Sequence, residues 1–183
     1  MIDDAESGAH MSPLELSSSD EARAKQYAAV ARRIRLLLDG APRDWVAAMA
    51  TVACELHGAF AYYDWTGFYR HTTPQSLTIG PYQGSHGCLS ISFSRGVCGA
   101  AATQRKTQLV EDVNAFPGHI ACASSTLSEV VVPILRRGAD GEEEVVGVLD
   151  VDSNAPAAFR RVDQDCLEAL MQELMQGQWT YCP

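Results

Sequence analysis

The sequence predicts an α+β domain, with an antiparallel sheet and N- and C-terminal helices packed on one face. Two observations predict it. Apolar residues recur at helical spacing near both ends of the chain, and the middle is rich in aromatic and β-branched residues interrupted by glycine turns. Helices, then a run of strands, then a closing helix is the order typical of α+β domains. At 183 residues, the chain is long enough to bury the core of one such domain.

Helical periodicity predicts the outer elements. An apolar stripe over residues 27–38 ends at a turn, 39–42, that stops the first helix. Asp44 has the side chain and position of an N-cap for the second helix. A short helix is predicted over 97–104, and the stripe over 162–174 forms the closing helix.

The middle of the chain reads as strands. They are predicted over six segments: 59–69, 75–82, 89–93, 107–111, 129–136 and 144–152. A Gly-Ala-Asp-Gly turn at 138–141 joins the last two. The long irregular segment 112–127 is expected to be functional, because such loops inside compact domains often are.

The ends of the chain are expected to be tails around a domain over 21–177. Residues 1–20 have low complexity and are expected to be mobile, and Gly8-Ala9-His10-Met11 is typical of a cloning remnant. Residues 178–183 form a short C-terminal tail. No signal peptide and no apolar run of about 18 residues is visible, which predicts a cytoplasmic protein without membrane association.

The formal charge of −9 argues against a nucleic-acid partner. Short basic clusters such as Arg32-Arg33 and Arg136-Arg137 are explained as solvated surfaces.

Three cysteines have local settings that suit sulfur chemistry. Cys98 lies between glycines, which predicts an uncrowded thiol; Cys122 follows a Phe-Pro-Gly loop, and Cys88 follows Gly84-Ser85-His86-Gly87. Thiols on Gly-rich loops of a cytosolic chain favour redox chemistry over structural disulfides. His119 near Cys122 either lowers the pKa of its thiol or has a structural role.

The other three cysteines lie in settings that do not indicate redox chemistry. Cys54 and Cys166 lie within helical patterns and are expected to be packed. Cys182 is one residue from the last residue of the sequence and has no evident role.

Acidic residues near the predicted strand ends form a second candidate feature. Glu129 begins one strand, and Asp150 and Asp152 point to the same face of another. Two like charges on one face repel unless they bind a cation or share a proton. They predict an ammonium site or a raised pKa suited to proton donation, the alternative being caps of the turn at 153–156.

Six short motifs in order resemble one family, the free methionine-(R)-sulfoxide reductases, which are single GAF domains. The resemblance covers about residues 25–176, and no single motif would carry it alone. The motifs are Trp65-Thr66-Gly67-Phe68-Tyr69, Gly80-Pro81-Tyr82-Gln83-Gly84, Gly96-Val97-Cys98-Gly99, Gly118-His119-Ile120-Ala121-Cys122, Ser128-Glu129-Val130 and Gly147-Val148-Leu149-Asp150-Val151-Asp152-Ser153.

The resemblance implies a GAF fold and a thiol mechanism. Cys122 matches the family nucleophile, which attacks the sulfoxide and becomes a sulfenic acid. Cys88 matches the resolving cysteine that forms a disulfide with it. Cys98 matches a third cysteine that serves either as backup resolver or as primary nucleophile. A thioredoxin-type dithiol protein restores the thiols, and no bound cofactor or metal is expected.

The resemblance also implies a substrate site. Trp65 and Tyr69 match aromatics that hold the methyl and thioether end of free methionine sulfoxide. Glu129, Asp150 and Asp152 match the acidic set that binds the amino group and polarises the sulfoxide oxygen. A pocket that binds free termini would exclude methionine within a peptide.

Two other function classes remain as alternatives. A ligand-binding GAF sensor without catalysis shares the fold, although it has no need of three loop cysteines. A metal site built from Cys88, Cys98, Cys122 and His119 lacks the Cys-x-x-Cys spacing of structural zinc sites. The N-terminal helix is a candidate surface for a homodimer, on which the sequence does not decide.

Overall fold

The antiparallel α+β architecture is confirmed. The structure, a computed structural model, describes residues 11–41, 43–118, 125–138 and 141–177. Within them, six strands form one sheet of order β3-β2-β1-β6-β5-β4, with each neighbouring pair antiparallel. The helices are α1 (Asp20–Leu38), α2 (Trp45–Ala59), α3 (Gly96–Gln104) and α4 (Arg161–Gln176). The strands are β1 (Trp65–Thr73), β2 (Ser76–Gln83), β3 (Ser90–Ser92), β4 (Gln108–Val110), β5 (Ser128–Arg137) and β6 (Glu143–Ser153).

The two faces of the sheet have different partners, because side chains alternate along each strand. Helices α1, α2 and α4 cover one face, and their apolar residues pack with Phe68, Val130 and Leu149. We call this packed layer the helix-side core. Helix α3 covers the other face, where it meets Tyr69, Val131 and Val148. We call this second side the α3 face. The N- and C-terminal helices thus share one face as predicted, and the short helix lies opposite them.

The ends of the helices follow the sequence signals. Asp44 caps α2 as predicted, its Oδ1 accepting from the backbone N–H of Ala47 at 2.8 Å. Ser19 caps α1 in the same way through Ala22. None of the helices in the described ranges has a stretch long and apolar enough to cross a membrane.

The predicted strand over 59–69 is wrong in its first half. Helix α2 continues to Ala59, and β1 begins only at Trp65. The connecting residues include Phe60, Tyr62 and Tyr63, which are buried among aromatic rings; the Phe60 centroid lies 4.4 Å from that of Tyr27. The aromatic composition reflects burial in the helix-side core rather than extended pairing.

The ordered domain also begins earlier than residue 21. The N–H of Leu14 donates to the carbonyl of Ala59 at 2.8 Å, and the N–H of Ala61 donates to the carbonyl of Leu14 at 3.0 Å. Leu14 and Leu16 pack against the helix-side core. Residues 11–19 are therefore packed rather than mobile, and residues 1–10 lie outside the described ranges.

A fully buried ion pair joins the first and last helices. Nη1 of Arg23 lies 2.5 Å from Oδ2 of Asp163, and both side chains are inaccessible to solvent. Arg23 also donates to the carbonyls of Leu16 and Ala158. Asp163 accepts from Tyr27 at 2.9 Å. The pair thus links the N-terminal segment, α1 and the start of α4.

Replacing Arg23 with Met should lower the free energy of unfolding by about 3–5 kcal/mol, because the Asp163 carboxylate would remain buried without its cation. Removing the exposed Arg161–Asp165 pair with Arg161→Ala should cost less than about 1 kcal/mol. Urea unfolding of both variants measures the difference. Similar losses in the two would show that the buried pair is not specially important.

Candidate active site

Three carboxyl side chains converge on the α3 face. Glu129 on β5 pairs in register with Asp152 on β6, and Asp150 lies two residues earlier on the same strand. The side chains of Glu129 and Asp150 are buried, each with 6% of its surface exposed. The prediction that Asp150 and Asp152 share a face with one another is consistent with this register.

Burial sets the protonation of this cluster. It raises the pKa of Asp150 from 3.8 to about 6. Burial first, and the neighbouring carboxylates second, raise the pKa of Glu129 and of Asp152 well above their usual range. Charged forms are disfavoured because water is excluded and like charges are close. The neutral form is therefore favoured at each of the three carboxyls relative to an acid in water.

Cys98 lies against this cluster, and the prediction of an uncrowded thiol is wrong. Its Sγ donates to Oδ2 of Asp150 at 3.3 Å, and 3% of the residue is exposed. Burial, and next the charge of Asp150, raise the pKa of the thiol well above its usual range. Gly99 explains the packing, because a Cβ there would lie 2.5 Å from the carbonyl oxygen of Ser92. The glycine brings α3 close to the β3 backbone and so buries the thiol.

An aromatic wall borders the α3 face. The rings of Trp65 and Tyr69 on β1 are stacked with centroids 5.7 Å apart, and Tyr82 stacks on the other side of Trp65 at 5.4 Å. Nε1 of Trp65 donates to the carbonyl of Ser85 at 2.9 Å. Burial, then the charge of Asp150, raise the pKa of Tyr69. The wall offers an apolar surface, and the hydroxyl of Tyr69 stays protonated.

The loop that carries Cys88 packs on this wall. Cys88 is half-buried and forms a disulfide, whereas Cys98 in the core is a free thiol. A Cβ on Gly87 would lie 2.9 Å from Oη of Tyr69 and 3.2 Å from Cζ2 of Trp65. Only glycine lets the loop approach this closely without a shift, so Gly87 positions Cys88 beside the aromatic rings.

Cys122 and His119 fall in the segment 119–124, outside the described residues. The described residues on either side of that segment lie near the cluster. The N–H of Gly96, at the start of α3, donates to the carbonyl of Gly118 at 3.0 Å. The hydroxyl of Thr126 hydrogen-bonds the carboxylate of Asp152. The segment therefore leaves and re-enters the described chain next to the site.

Sequence reasoning gave no role to Tyr82, Ser85 or Thr126. Tyr82 stood within a quoted motif, and its aromatic character was the available signal; the roles of Ser85 and Thr126 depend on loop geometry that no local pattern encodes. Among the other cysteines, Cys166 is half-buried, and Cys54 is exposed, contrary to the expected packing. The buried face of α2 at this point belongs to Val52, Ala53 and Leu56.

Known proteins are similar to this chain in fold and in sequence. Residues 42–176 match the model of the GAF domain. The free methionine-R-sulfoxide reductase of Escherichia coli is 34% identical over 81% of this chain and 86% of its own length. The yeast enzyme of the same name, from Saccharomyces cerevisiae, is 45% identical over 58% of each chain. The X-ray structure of the Neisseria meningitidis free methionine-R-sulfoxide reductase in complex with its substrate is 40% identical, covers 91% of this chain and 95% of its own, and superposes with a TM-score of 0.76.

These matches agree with the geometry of the α3 face. The match to the GAF model, over residues 42–176, covers all six strands and helices α2, α3 and α4, and therefore the residues of the carboxyl cluster and the aromatic wall. The chain therefore belongs to the free methionine-(R)-sulfoxide reductase family of GAF domains.

Proposed function

We propose that this protein reduces free L-methionine-(R)-sulfoxide to L-methionine with electrons from cysteine thiols. The observation that carries the proposal is the cluster of the buried Glu129 and Asp150 with the half-buried Asp152, which lies on the same face as the aromatic wall and near a disulfide-bonded cysteine. Relatives named for this activity support it.

The carboxyl cluster suits two polar groups of the substrate, the sulfoxide oxygen and the ammonium group. The sulfur of a sulfoxide becomes more electrophilic when its oxygen accepts a proton or a hydrogen bond, and a buried carboxyl that keeps its proton can donate one. Glu129 has this property because burial raises its pKa. Asp150, with a pKa of about 6, is largely ionised near neutral pH and so provides a negative charge for the substrate ammonium group.

The aromatic wall suits the apolar part of the substrate. Methyl and thioether groups pack favourably against aromatic rings, and sulfur contacts with ring edges add to this. Trp65 and Tyr69 are both buried, so the wall is shielded from water before substrate arrives. A closed site of this kind favours the free amino acid over methionine within a peptide, whose blocked termini lack the charges that the cluster recognises.

The proposed reduction takes its two electrons from two thiols in two steps. The thiolate of Cys122 attacks the sulfoxide sulfur while the sulfoxide oxygen takes a proton from a buried carboxyl. The resulting hydroxyl then moves from the substrate sulfur to the sulfur of Cys122 as the bond between the two sulfurs breaks, which releases methionine and leaves Cys122 as a sulfenic acid. The thiol of Cys88 then attacks the sulfenic sulfur, which expels water and forms a disulfide. Two thiols supply the two electrons, and an external dithiol reduces the disulfide by exchange.

Two features support this assignment of thiols. Cys88 is disulfide-bonded while Cys54, Cys98 and Cys166 are free. The raised pKa of Cys98 leaves its thiol protonated near neutral pH, which disfavours it as the nucleophile because the thiolate is the reactive form. Cys122 is thereby favoured over Cys98 as the nucleophile, and Cys98 as a group that positions Asp150. The free thiols leave Cys122 and Cys182 as candidate partners of Cys88, and the family motif around Cys122 favours Cys122.

We further propose a thioredoxin-like protein as the reductant. A protein dithiol must dock beside the disulfide that it reduces. Leu89 directly follows Cys88 and is 76% exposed, more than the other exposed large apolar residues of the described chain. An exposed leucine next to a disulfide is a suitable contact for an apolar rim around a partner's dithiol.

Activity is tested by methionine release from free L-methionine-(R)-sulfoxide, its S epimer and a blocked peptide analogue, with a thioredoxin system. The free R epimer alone should be reduced. Cys122→Ser should abolish release, Cys88→Ser should release about one methionine per enzyme before stopping, and the exposed Cys54→Ser should behave as wild type. Full turnover by Cys122→Ser would refute the nucleophile, and no release from any substrate would favour a ligand-binding GAF module.

The raised pKa of Asp150 predicts a pH-dependent stability. Because the folded-state pKa, about 6, lies above the ordinary value of 3.8, the contribution of this group is fully present below 3.8 and is lost as pH rises through about 6. The free energy of unfolding of wild type should therefore fall by about 2 kcal/mol more than that of Asp150→Asn between pH 4 and 8. Urea titrations across this range measure it. Asp165→Asn, at an exposed acid, should follow the wild-type curve, and parallel curves for Asp150→Asn would contradict the prediction.

Leu89→Ser should raise KM for the dithiol protein about fivefold, because roughly 1 kcal/mol of apolar contact is lost on docking. The rate with dithiothreitol, which needs no docking surface, should stay unchanged. Leu37→Ser, at an exposed leucine of α1, is the matched control. An equal loss with both reductants would show that Leu89 acts on the site and not on the partner.

A further inference from the structure

Cys98, Glu129 and Asp150 form a cluster of metal-ligand type. One ligand atom from each, the thiol sulfur and two carboxylate oxygens, lies within 4.8 Å of the others, and all three residues are buried. The three donors come from α3, β5 and β6, which hydrogen-bonded pairing and core packing hold in place. The three donor side chains are therefore held in place by the core of the domain, unlike carboxylates that lie near one another on a surface.

A second observation concerns what the cluster lacks. Oδ2 of Asp150 accepts from Cys98, and the buried Oδ1 finds no N–H or hydroxyl donor among the described residues; its remaining polar neighbour is the carboxyl of Glu129, with which Asp150 shares a side-chain hydrogen bond. Two carboxyls that face each other in a buried site need either a shared proton or a cation between them. This position is therefore suited to a ligand that carries positive charge.

We propose that Cys98, Glu129 and Asp150 bind one thiophilic divalent cation of the Zn²⁺ class. Zn²⁺ binds thiolate at about 2.3 Å and carboxylate oxygen at about 2.0–2.2 Å in tetrahedral geometry, so the three donors need only move inward by rotation of their side chains. Three protein ligands leave the fourth position open to water. On binding, the thiol proton of Cys98 and any carboxyl protons pass to solvent.

The donor set selects among cations. A thiolate ligand favours Zn²⁺ or Co²⁺ over the oxygen-seeking Mg²⁺ and Ca²⁺, which require six or more oxygen ligands. The cation would also neutralise carboxylates that otherwise repel one another. The same cluster can therefore be occupied either by protons or by a metal.

A consequence follows that rests on the proposed function. If Glu129 and Asp150 bind the substrate, a bound cation occupies those oxygens and excludes it. Zn²⁺ should then inhibit the reductase in competition with free methionine-(R)-sulfoxide.

Metal binding is tested on the protein with the Cys88 disulfide closed, which removes that thiol as a competing ligand. Titration with Co²⁺ should give the visible bands of a tetrahedral site and a thiolate-to-cobalt charge-transfer band at one ion per chain, and calorimetry should show Zn²⁺ but not Mg²⁺ binding. Cys98→Ser should lose the charge-transfer band, and Cys54→Ser, which removes an exposed thiol, should keep it. Glu129→Gln should weaken binding while retaining the thiolate band. Thermal melts verify that each variant is folded.

The outcomes separate the two proposals. No cobalt–thiolate band, or a band that persists in Cys98→Ser, would overturn the metal site. Binding that does not inhibit methionine release would support the metal site and refute only the placement of substrate on these carboxyls. Lack of methionine release without any metal would count against the proposed function and leave the metal titration unaffected.

Discussion

The pairing register of β1, β6 and β5 is the constraint on which the site depends. Trp65 stands opposite Asp152 on one side of β6, and Glu129 stands opposite Asp152 on the other. Because side chains alternate between faces, a slip of one residue in either pairing would move a site residue into the helix-side core. The helices fix this register indirectly, since they bury Phe68 and Leu149 on the opposite face.

The site is costly to the fold, and the rest of the molecule offsets that cost. Buried carboxyls and a buried thiol replace apolar side chains that would pack without penalty. The helix-side core is by contrast largely apolar, and the ion pair Arg23–Asp163, which is fully buried there, is closely hydrogen-bonded. Chemistry and stability are thus divided between the two faces of the same sheet, a common compromise where function needs strained or desolvated groups.

Prediction from the sequence succeeded where the structure follows from local hydrophobic periodicity and side-chain type. The antiparallel strands, the Asp44 cap and the shared face of Asp150 and Asp152 follow from alternation and side-chain type. It failed where tertiary packing overrides local pattern. The glycines around Cys98 suggested an open loop, yet they allow a helix to pack closely and bury the thiol. The contacts of the Asp150 carboxyl with Cys98 and Glu129 join three separate elements, and no local pattern reports them.

The hydrogen bond between Trp65 and Ser85 couples an optical probe to the redox loop. The indole of Trp65 is held by the backbone of the same loop that carries Cys88, and its ring lies between two tyrosines. Any rearrangement of that loop on reduction changes the polarity and quenching environment of the indole. Trp65, one of three tryptophans in the chain, thus lies where its emission would report on the proposed thiol–disulfide cycle without a label or a coupled assay.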